Sequence, residues 1–421
     1  MIHCIVLSCL EDKMKLFKIV PVVDGIPESV TAITYVKYSL YIGTHGGTIY
    51  RYSIAESADA EDIVNSGAIS GSIRLSYKRR IDSLTAIPSK DALCCLADGI
   101  FQVLPSHLNS FGSTLVKGVS TYCFLHDDDF APVRLCVAIR KKLLFYILSE
   151  SGFKFSKEIS IPDVALVLCW DRQWICAAFR KEYALIKETD GTYSEIFPLD
   201  STFKTLPKIC LLPENELLLV GQDNLGIFFN FHTQQPSKKD TIQWPSAIQQ
   251  LGAFPPYIVA ILQSGSIEIH SIRDQRLCQR LELSELSLIS DSENTIFLGF
   301  PSAIFCLHPI PFTRQMQKLL LEKNLSEALE LLNSNFEPED PRRAEELANF
   351  HLYGGWTLFN QLQFPGAFQH FSHAKLDISF LLAFWKSYLP TWWRPTERVA
   401  PLTGDEVFKE LLPQPLDIHS F

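Results

Sequence analysis

An apolar hairpin that returns about every 40 residues restricts the possible folds of this chain more than any other feature. Its plainest copy is Leu135–Leu148, in which Leu-Cys-Val-Ala-Ile and Leu-Leu-Phe-Tyr-Ile-Leu flank Arg140-Lys141-Lys142. Each run has the length and composition of a strand. Neither alternates with polar residues, so both faces of the hairpin are expected to be buried. Three cationic side chains cannot sit unpaired in such a core, and they mark the exposed reversal. Comparable units lie at 30–54, 81–104, 120–148, 164–187, 206–231, 246–272 and 287–308.

The second strands of these units align at Tyr41, Leu93, Leu135, Trp174, Leu217, Tyr257 and Thr295, with gaps of 52, 42, 39, 43, 40 and 38 residues. A small sheet cannot bury both faces alone. Several short strands per period therefore predict blades stacked face to face around an axis, here a seven-bladed β-propeller. A lone strand over 14–23 is expected to complete the last blade and close the ring. The long first gap holds residues 55–76, rich in Ser, Ala, Gly and Asp, which read as a surface insertion. Pro236–Asp240 reads as a shorter loop. Trp170-Asp171 occurs once, so the chain lacks the signature of a WD-repeat array.

The period changes at Pro309-Ile310-Pro311, where two prolines end strand pairing. Thr313 is a candidate N-cap, followed by an apolar stripe of Met316, Leu319 and Leu320. Leu325, Ala328, Leu329 and Leu332 continue at helical spacing, with Ser326 near that helix start. Asp340-Pro341 is a second N-cap signal, Ala344, Leu347 and Ala348 are expected to face inward, and Gly354-Gly355 are expected to interrupt that helix. Phe364, Ala367, Phe368 and Phe371 then repeat the Leu325 pattern at an offset of 39 residues. Such helix-turn-helix repeats predict the start of an α-solenoid. Asp377 is a candidate cap for a last helix holding Phe380, Leu381 and Phe384. The reading gives a mainly β chain with a C-terminal α part: a propeller over 14–308, a solenoid start over 312–391 and an irregular tail over 392–421.

A net charge of −9 with no extended basic run argues against general nucleic-acid binding. The eleven cysteines contain no CxxC pair and mostly lie in apolar runs, as core thiols do in a reducing compartment. Met1–Leu10 is apolar but lacks a basic flank and a cleavage site, so no signal peptide is read. No apolar run reaches the roughly 20 residues of a membrane span.

Catalytic patterns are sparse. Gly46-Gly47 sits in a hairpin turn, not between a strand and a helix. Near Ser70-Gly71, position 68 is Ala, so the nucleophile-elbow pattern fails. His126-Asp127-Asp128-Asp129 reads as a solvated loop, and His370 with His373 as exposed or capping side chains. No cofactor or metal is expected. Arg140, Lys141 and Lys142 are the candidate contact residues for an acidic partner or a lipid headgroup, with Lys78-Arg79-Arg80 as a similar cluster. Trp392-Trp393 is a candidate apolar patch.

Several segments resemble citron-homology (CNH) propellers: Lys117-Gly118-Val119, Arg134–Leu143, Ile161-Pro162-Asp163, Val220–Asn224, Pro255–Ala260 and Ile267–His270. The junction Leu307–Pro311, then Gln315–Leu320 and Ser379–Thr391, is similar to the vacuolar-sorting tether subunits of the HOPS and CORVET complexes. That group includes the TGF-β-receptor-associated protein. The resemblance implies a non-enzymatic subunit of endosome-to-lysosome (vacuole) traffic, cytoplasmic and peripheral on late endosomal or lysosomal membranes. It implies a propeller facing a Rab-family GTPase and helices joining other tether subunits, with no contact residue carried over. Members of the group continue through a long solenoid, whereas this sequence runs to Phe421, which leaves assembly into such a complex open. Two alternatives stand beside it. One is a receptor-associated signalling adaptor; the other is a propeller enzyme such as a glycosidase or lactonase, which needs carboxylates or metal ligands converging at the channel mouth.

Overall fold

The computed structural model describes residues 16–54, 67–75, 78–125, 132–150, 152–199, 206–292, 295–336 and 338–377. The chain divides into two compact units, with the boundary in the sequence between His308 and Pro309. His126–Asp129, the expected last helix around Phe380, Trp392-Trp393 and the expected irregular tail lie outside the described residues.

The first unit is seven antiparallel sheets, the number the period predicts. After β1 (Phe17–Val23), the first blade holds β2 (Val30–Val36), β3 (Ser39–Thr44), β4 (Thr48–Ser53) and β5 (Ala68–Arg74). The second holds β6 (Ile81–Ile87), β7 (Ala92–Ala97), β8 (Ile100–Pro105) and β9 (Ser113–Lys117). The third holds β10 (Val119–Leu125), β11 (Arg134–Ile139), β12 (Lys142–Ser149) and β13 (Gly152–Ser160). The fourth holds β14 (Val167–Asp171), β15 (Trp174–Ala178), β16 (Glu182–Lys187) and β17 (Tyr193–Pro198). The fifth has β18 (Ile209–Leu212), β19 (Glu216–Val220) and β20 (Leu225–Asn230), with β21 (Gln235–Pro236) and β22 (Ile242–Gln243) both pairing with β20. The sixth has β23 (Ile248–Phe254), β24 (Tyr257–Leu262), β25 (Ser266–Ser271) and β26 (Leu277–Glu282). The seventh has β27 (Leu288–Ser292), β28 (Thr295–Gly299) and β29 (Ile304–Pro309), and β1 joins β29 as its outermost strand. The expected lone strand therefore closes the ring.

Continuous apolar runs in the second strands follow from this stacking. Leu93 and Cys95 of β7 pack with Tyr41, Ile49 and Ile81 toward the first blade. Their neighbours Cys94 and Leu96 pack with Leu135 and Val137 toward the third. In β11 the phase repeats: Cys136 and Ala138 meet Ile175 and Ala177 of the fourth blade. Successive side chains of a strand point to opposite faces, and here each face is covered by a neighbouring sheet. Ring contacts Phe17–Phe254 and Phe17–Tyr257, both at 5.5 Å, join the seventh blade to the sixth. The first strands add polar latches: Thr31 Oγ1 donates to Ile81 O (2.7 Å) and Ser120 Oγ to Ala165 O (2.8 Å), each reaching the next blade.

The fourth strands depart from the sequence reading. Residues 68–74, expected to be part of a surface insertion, form β5, and residues 55–66 of that segment lie outside the described residues. β5 is outermost in its sheet and largely exposed, so its sequence carries little apolar signal. β9, β13 and β17 are outermost in the same way. A one-residue bulge shifts the pairing of the outer strand in five blades, at Ser70, Leu115, Ser156, Ile196 and Cys278.

All nine described cysteines are free. Burial, with the Asp82 charge nearby, pushes the Cys95 thiol up to about 12, and burial pushes Cys306 up to about 12. Protonated thiols of this kind are poor nucleophiles.

The second unit holds α1 (Phe312–Leu321), α2 (Leu325–Asn335), α3 (Pro341–Asn360) and α4 (Phe364–His373). Met316, Leu319 and Leu320 are buried as the stripe predicts. Thr313 is not the N-cap: Pro311 holds that position, without a side-chain bond. Asp340 does cap α3, accepting from Arg342 N (2.9 Å). The buried face of α3 is richest from Phe350 onward, because Ala344 is exposed and Leu347 and Ala348 are half-buried. The 39-residue offset extends to the backbone. Asn324 N donates to Leu319 O and Lys323 N to Leu320 O; Gln363 N donates to Leu358 O and Leu362 N to Phe359 O. Lys323 and Leu362 both take the left-handed conformation, so α1 and α3 end in the same Schellman turn. Gly354-Gly355 do not interrupt α3. They lie buried within it, and a Cβ on Gly355 would stand 2.5 Å from the Phe371 ring, so glycine there allows α4 to approach closely.

Candidate partner-binding face

Two recurring hydrogen bonds fix the ends of the blades and decide which turns share a face. At one end, a backbone N–H just after the outer strand donates to the turn between the second and third strands. The pairs are Leu75 to Gly47, Val119 to Gly99, Ile161 to Lys141, Leu199 to Lys181, Trp244 to Asn224, Leu283 to Gly265 and Ile26 to Ser302, at 2.6–3.1 Å. All seven donors are large apolar residues at most 6% exposed, so each also anchors the connection it begins. At the opposite end, Ile54, Ser106, Leu148, Glu188, Phe231 and Ile272 donate in the same way to Tyr38, Asp91, Val133, Gln173, Asn215 and Pro256.

The first set gathers the 140–141 turn, its counterparts and the links between blades onto one face. Arg140 and Lys141 form the turn itself, with Arg140 left-handed, and Lys142 is the first residue of β12. All three are exposed. Lys142 Nζ pairs with Glu158 at 2.8 Å. In the second cluster Arg79 pairs with Asp98, and Arg80 lies 3.8 Å from Asp82. Lys78, Lys117, Arg140, Lys141, Arg180 and Lys181 are exposed on this face with no ion pair among the described residues. They span the second to fourth blades.

Toward the fifth to seventh blades the exposed charges described on this face are acidic, and the one described cation there, Lys208 in the link into the fifth blade, is half-buried. Asp223, Glu282, Glu285 and Asp24 are exposed in the turns and links of the fifth, sixth and seventh blades. The described residues 221–224, 244–247, 263–265, 282–287, 300–303 and 24–29 contain no Lys or Arg. The face is therefore split into a basic and an acidic arc on a chain of net charge −9. Exposed charges of this kind contribute about 0–1 kcal/mol to folding, whereas they steer and orient charged partners.

Two polar clusters lie elsewhere. In the sixth blade Glu268, 1% exposed, is held by His270 Nε2 (3.0 Å) and by two N–H groups of Arg280, one through Nε at 3.0 Å. Burial raises the Glu268 carboxyl, but the bonds from His270 and Arg280 and their charges outweigh it and hold the group below its ordinary value. In the helical unit, His370 and His373 acquire a third imidazole that sequence spacing did not signal: His351 of α3. Its Nδ1 lies 3.3 Å from His370 Nδ1, and its ring stacks on His373 at 4.8 Å. Among the described residues no group of three or more His, Cys, Asp or Glu is arranged to hold a metal ion. No described helix is long and apolar enough to cross a membrane.

Seven antiparallel blades, six of them four-stranded, followed by helical hairpins define a propeller–helical-repeat protein. The CNH domain family model matches residues 38–292, and the chain belongs to the CNH domain family. It is 25% identical over 396 residues to the transforming growth factor-beta receptor-associated protein 1 homolog of Danio rerio, covering 90% of this chain and 45% of that protein. It is also 25% identical to vacuolar sorting protein 39 of Arabidopsis thaliana (90% of this chain, 38% of the relative). Identity to the Vam6/Vps39-like protein of Mus musculus is again 25% (90% and 44%). The chain thus spans less than half the length of these curated relatives. Two solved structures share the propeller fold. One is the AfRom2 CNH domain (TM-score 0.53, 14% identity, 70% of this chain, 99% of that chain). The other is BBS1N, crystallised in complex with ARL6DN (TM-score 0.54, 12% identity, 71% and 98%).

Proposed function

We propose that this chain is a non-enzymatic tethering subunit of endosome-to-lysosome (vacuole) traffic. The observation that carries the reading is the similarity to vacuolar sorting protein 39 and the Vam6/Vps39-like protein, which runs over 90% of the chain and so takes in propeller and helices together. In this reading the propeller binds a Rab-family GTPase on the membrane, with the basic arc around Arg140, Lys141 and Lys142 as the contact. The helical hairpins stack on further subunits of a HOPS- or CORVET-type complex. The protein is then peripheral on late endosomal or lysosomal membranes, held there through its partners.

The test is a pulldown of the full chain with GTP-loaded and GDP-loaded endosomal Rab proteins. Retention of a GTP-loaded form, lost in Arg140→Glu/Lys141→Glu, supports the reading. Equal absence of binding to both forms overturns it. A second reading, a receptor-associated adaptor, is favoured by the equal identity to the transforming growth factor-beta receptor-associated protein 1 homolog. Binding to a receptor kinase cytoplasmic domain in place of Rab proteins selects it.

A further inference from the structure

The fifth blade lacks a continuous outer strand. β21 and β22 each pair with one end of β20, Ser237 N still donates to Phe228 O (3.0 Å), and residues 238–241 leave the pairing. That stretch is drawn toward the sixth blade: Lys238 Nζ donates to Ile272 O, lies 3.6 Å from Glu216 and sits 4.7 Å from the Phe228 ring centroid. On the side facing the fourth blade, the side chains of a complete outer strand are missing. A cavity of about 610 Å³ opens there between β17 and β20.

The floor of the cavity is apolar. Leu225, Ile227 and Phe229 share one face of β20, and Ile196 and Phe197 line the facing wall from β17. The cavity runs the height of the blade, from the turn at Gly221–Asp223 on the charge-split face to Gln234 at the other. β20 supplies six residues, so the groove accepts an extended segment of about six residues at roughly 3.3 Å each. Among the described residues the only ionisable lining groups are Glu195 and Asp223, both exposed and both acidic.

We propose that the groove between the fourth and fifth blades binds an extended segment of a partner protein, with branched apolar side chains flanked by Lys or Arg. The apolar side chains fill the space left by the interrupted strand, and the flanking cations meet Glu195 and Asp223. β17, as an outermost strand, offers its free edge for backbone pairing. This site lies between two blades and does not depend on the reading of the basic arc.

The test uses the full chain and two fluorescein-labelled synthetic peptides, Lys-Lys-Ile-Leu-Ile-Lys-Lys and Glu-Glu-Ile-Leu-Ile-Glu-Glu, followed by fluorescence polarisation. Binding of the Lys-flanked peptide should be saturable and at least about tenfold tighter than that of the Glu-flanked one. Glu195→Lys/Asp223→Lys should reverse the preference, a gain of binding that misfolding cannot mimic. Ile227→Asp should weaken both peptides with the melting temperature held within a few degrees, and Arg140→Glu/Lys141→Glu should leave them unchanged. Equal affinity for the two peptides, binding of neither, or a preference that survives the double reversal would sink the assignment.

Discussion

Gln279 and Phe17, 262 positions apart, are joined by two hydrogen bonds: Phe17 N donates to Gln279 Oε1 (2.9 Å), and Gln279 Nε2 donates to Phe17 O (3.1 Å). Leu16 N adds a third to the same Oε1 at 2.8 Å. Both residues are nearly fully buried, at 2% and 1% exposure. One amide side chain of the sixth blade thus fastens the start of β1, the strand that completes the seventh.

Gln279→Leu leaves two backbone N–H groups and one carbonyl buried without partners, at about 1–3 kcal/mol each. Partial relaxation should hold the net loss to about 2–4 kcal/mol. Hydrogen exchange should show faster opening of residues 16–23. Normal protection there would mean the latch does not hold the ring.

Gly355→Ala tests the packing of α4 on α3. Alanine gains about 1 kcal/mol of helix propensity, but its Cβ would stand 2.5 Å from the Phe371 ring. Overpacking costs about 1–3 kcal/mol, so the variant should be less stable in denaturant titrations. A stabilised variant would show that α4 can move aside.

Glu268→Ala leaves His270 and Arg280 without their shared acceptor. With Arg280 partly exposed, the expected cost is about 2–4 kcal/mol. The Glu268 carboxyl is held below its ordinary value in the fold, so its contribution is complete above about pH 4.5 and is lost as pH falls further. Stability of the parent chain should fall more steeply than that of Glu268→Gln below that point.

The imidazole cluster gives the helical unit its own pH response. Burial, and then the charges of His370 and His373, hold His351 below the ordinary 6.5; burial and the charge of His373 do the same to His370, which the bond from His351 partly offsets. Above about 6.5 both states are neutral. As pH falls below it, the unfolded chain takes up protons before the folded one, and stability declines. Protection factors across 341–373, corrected for the pH dependence of intrinsic exchange, should therefore fall as pH drops from about 6.5 to 5.5, and His351→Phe should flatten the response. An unchanged slope in that variant would count against the coupling.

The rims were only partly legible. Arg140-Lys141-Lys142 announced an exposed turn because charge inside a two-faced apolar hairpin has nowhere else to go. Nothing local announced that Lys117 and Arg180 stand on the same face, nor that Arg79 and Arg80 are already engaged by Asp98 and Asp82. Glu268 and His270 alternate with Ile267 and Ile269, which reads as a half-exposed strand, yet the strand is buried on both sides and Arg280 supplies the neutralising charge.

Sequence alone determined the number of blades, the place of their central hairpins and the 39-residue helical offset. These rest on spacings within a few dozen residues, and a strand covered on both faces is apolar at nearly every position unless, as in β25, its polar groups are paired. Tertiary structure decided the outer strands, the latch of Gln279 on β1, the meeting of His351 with His370 and His373, and the groove beside Ile227. An outer strand has only one face to bury and so writes a weak pattern, and the other features bring together groups from separate elements that no local period relates.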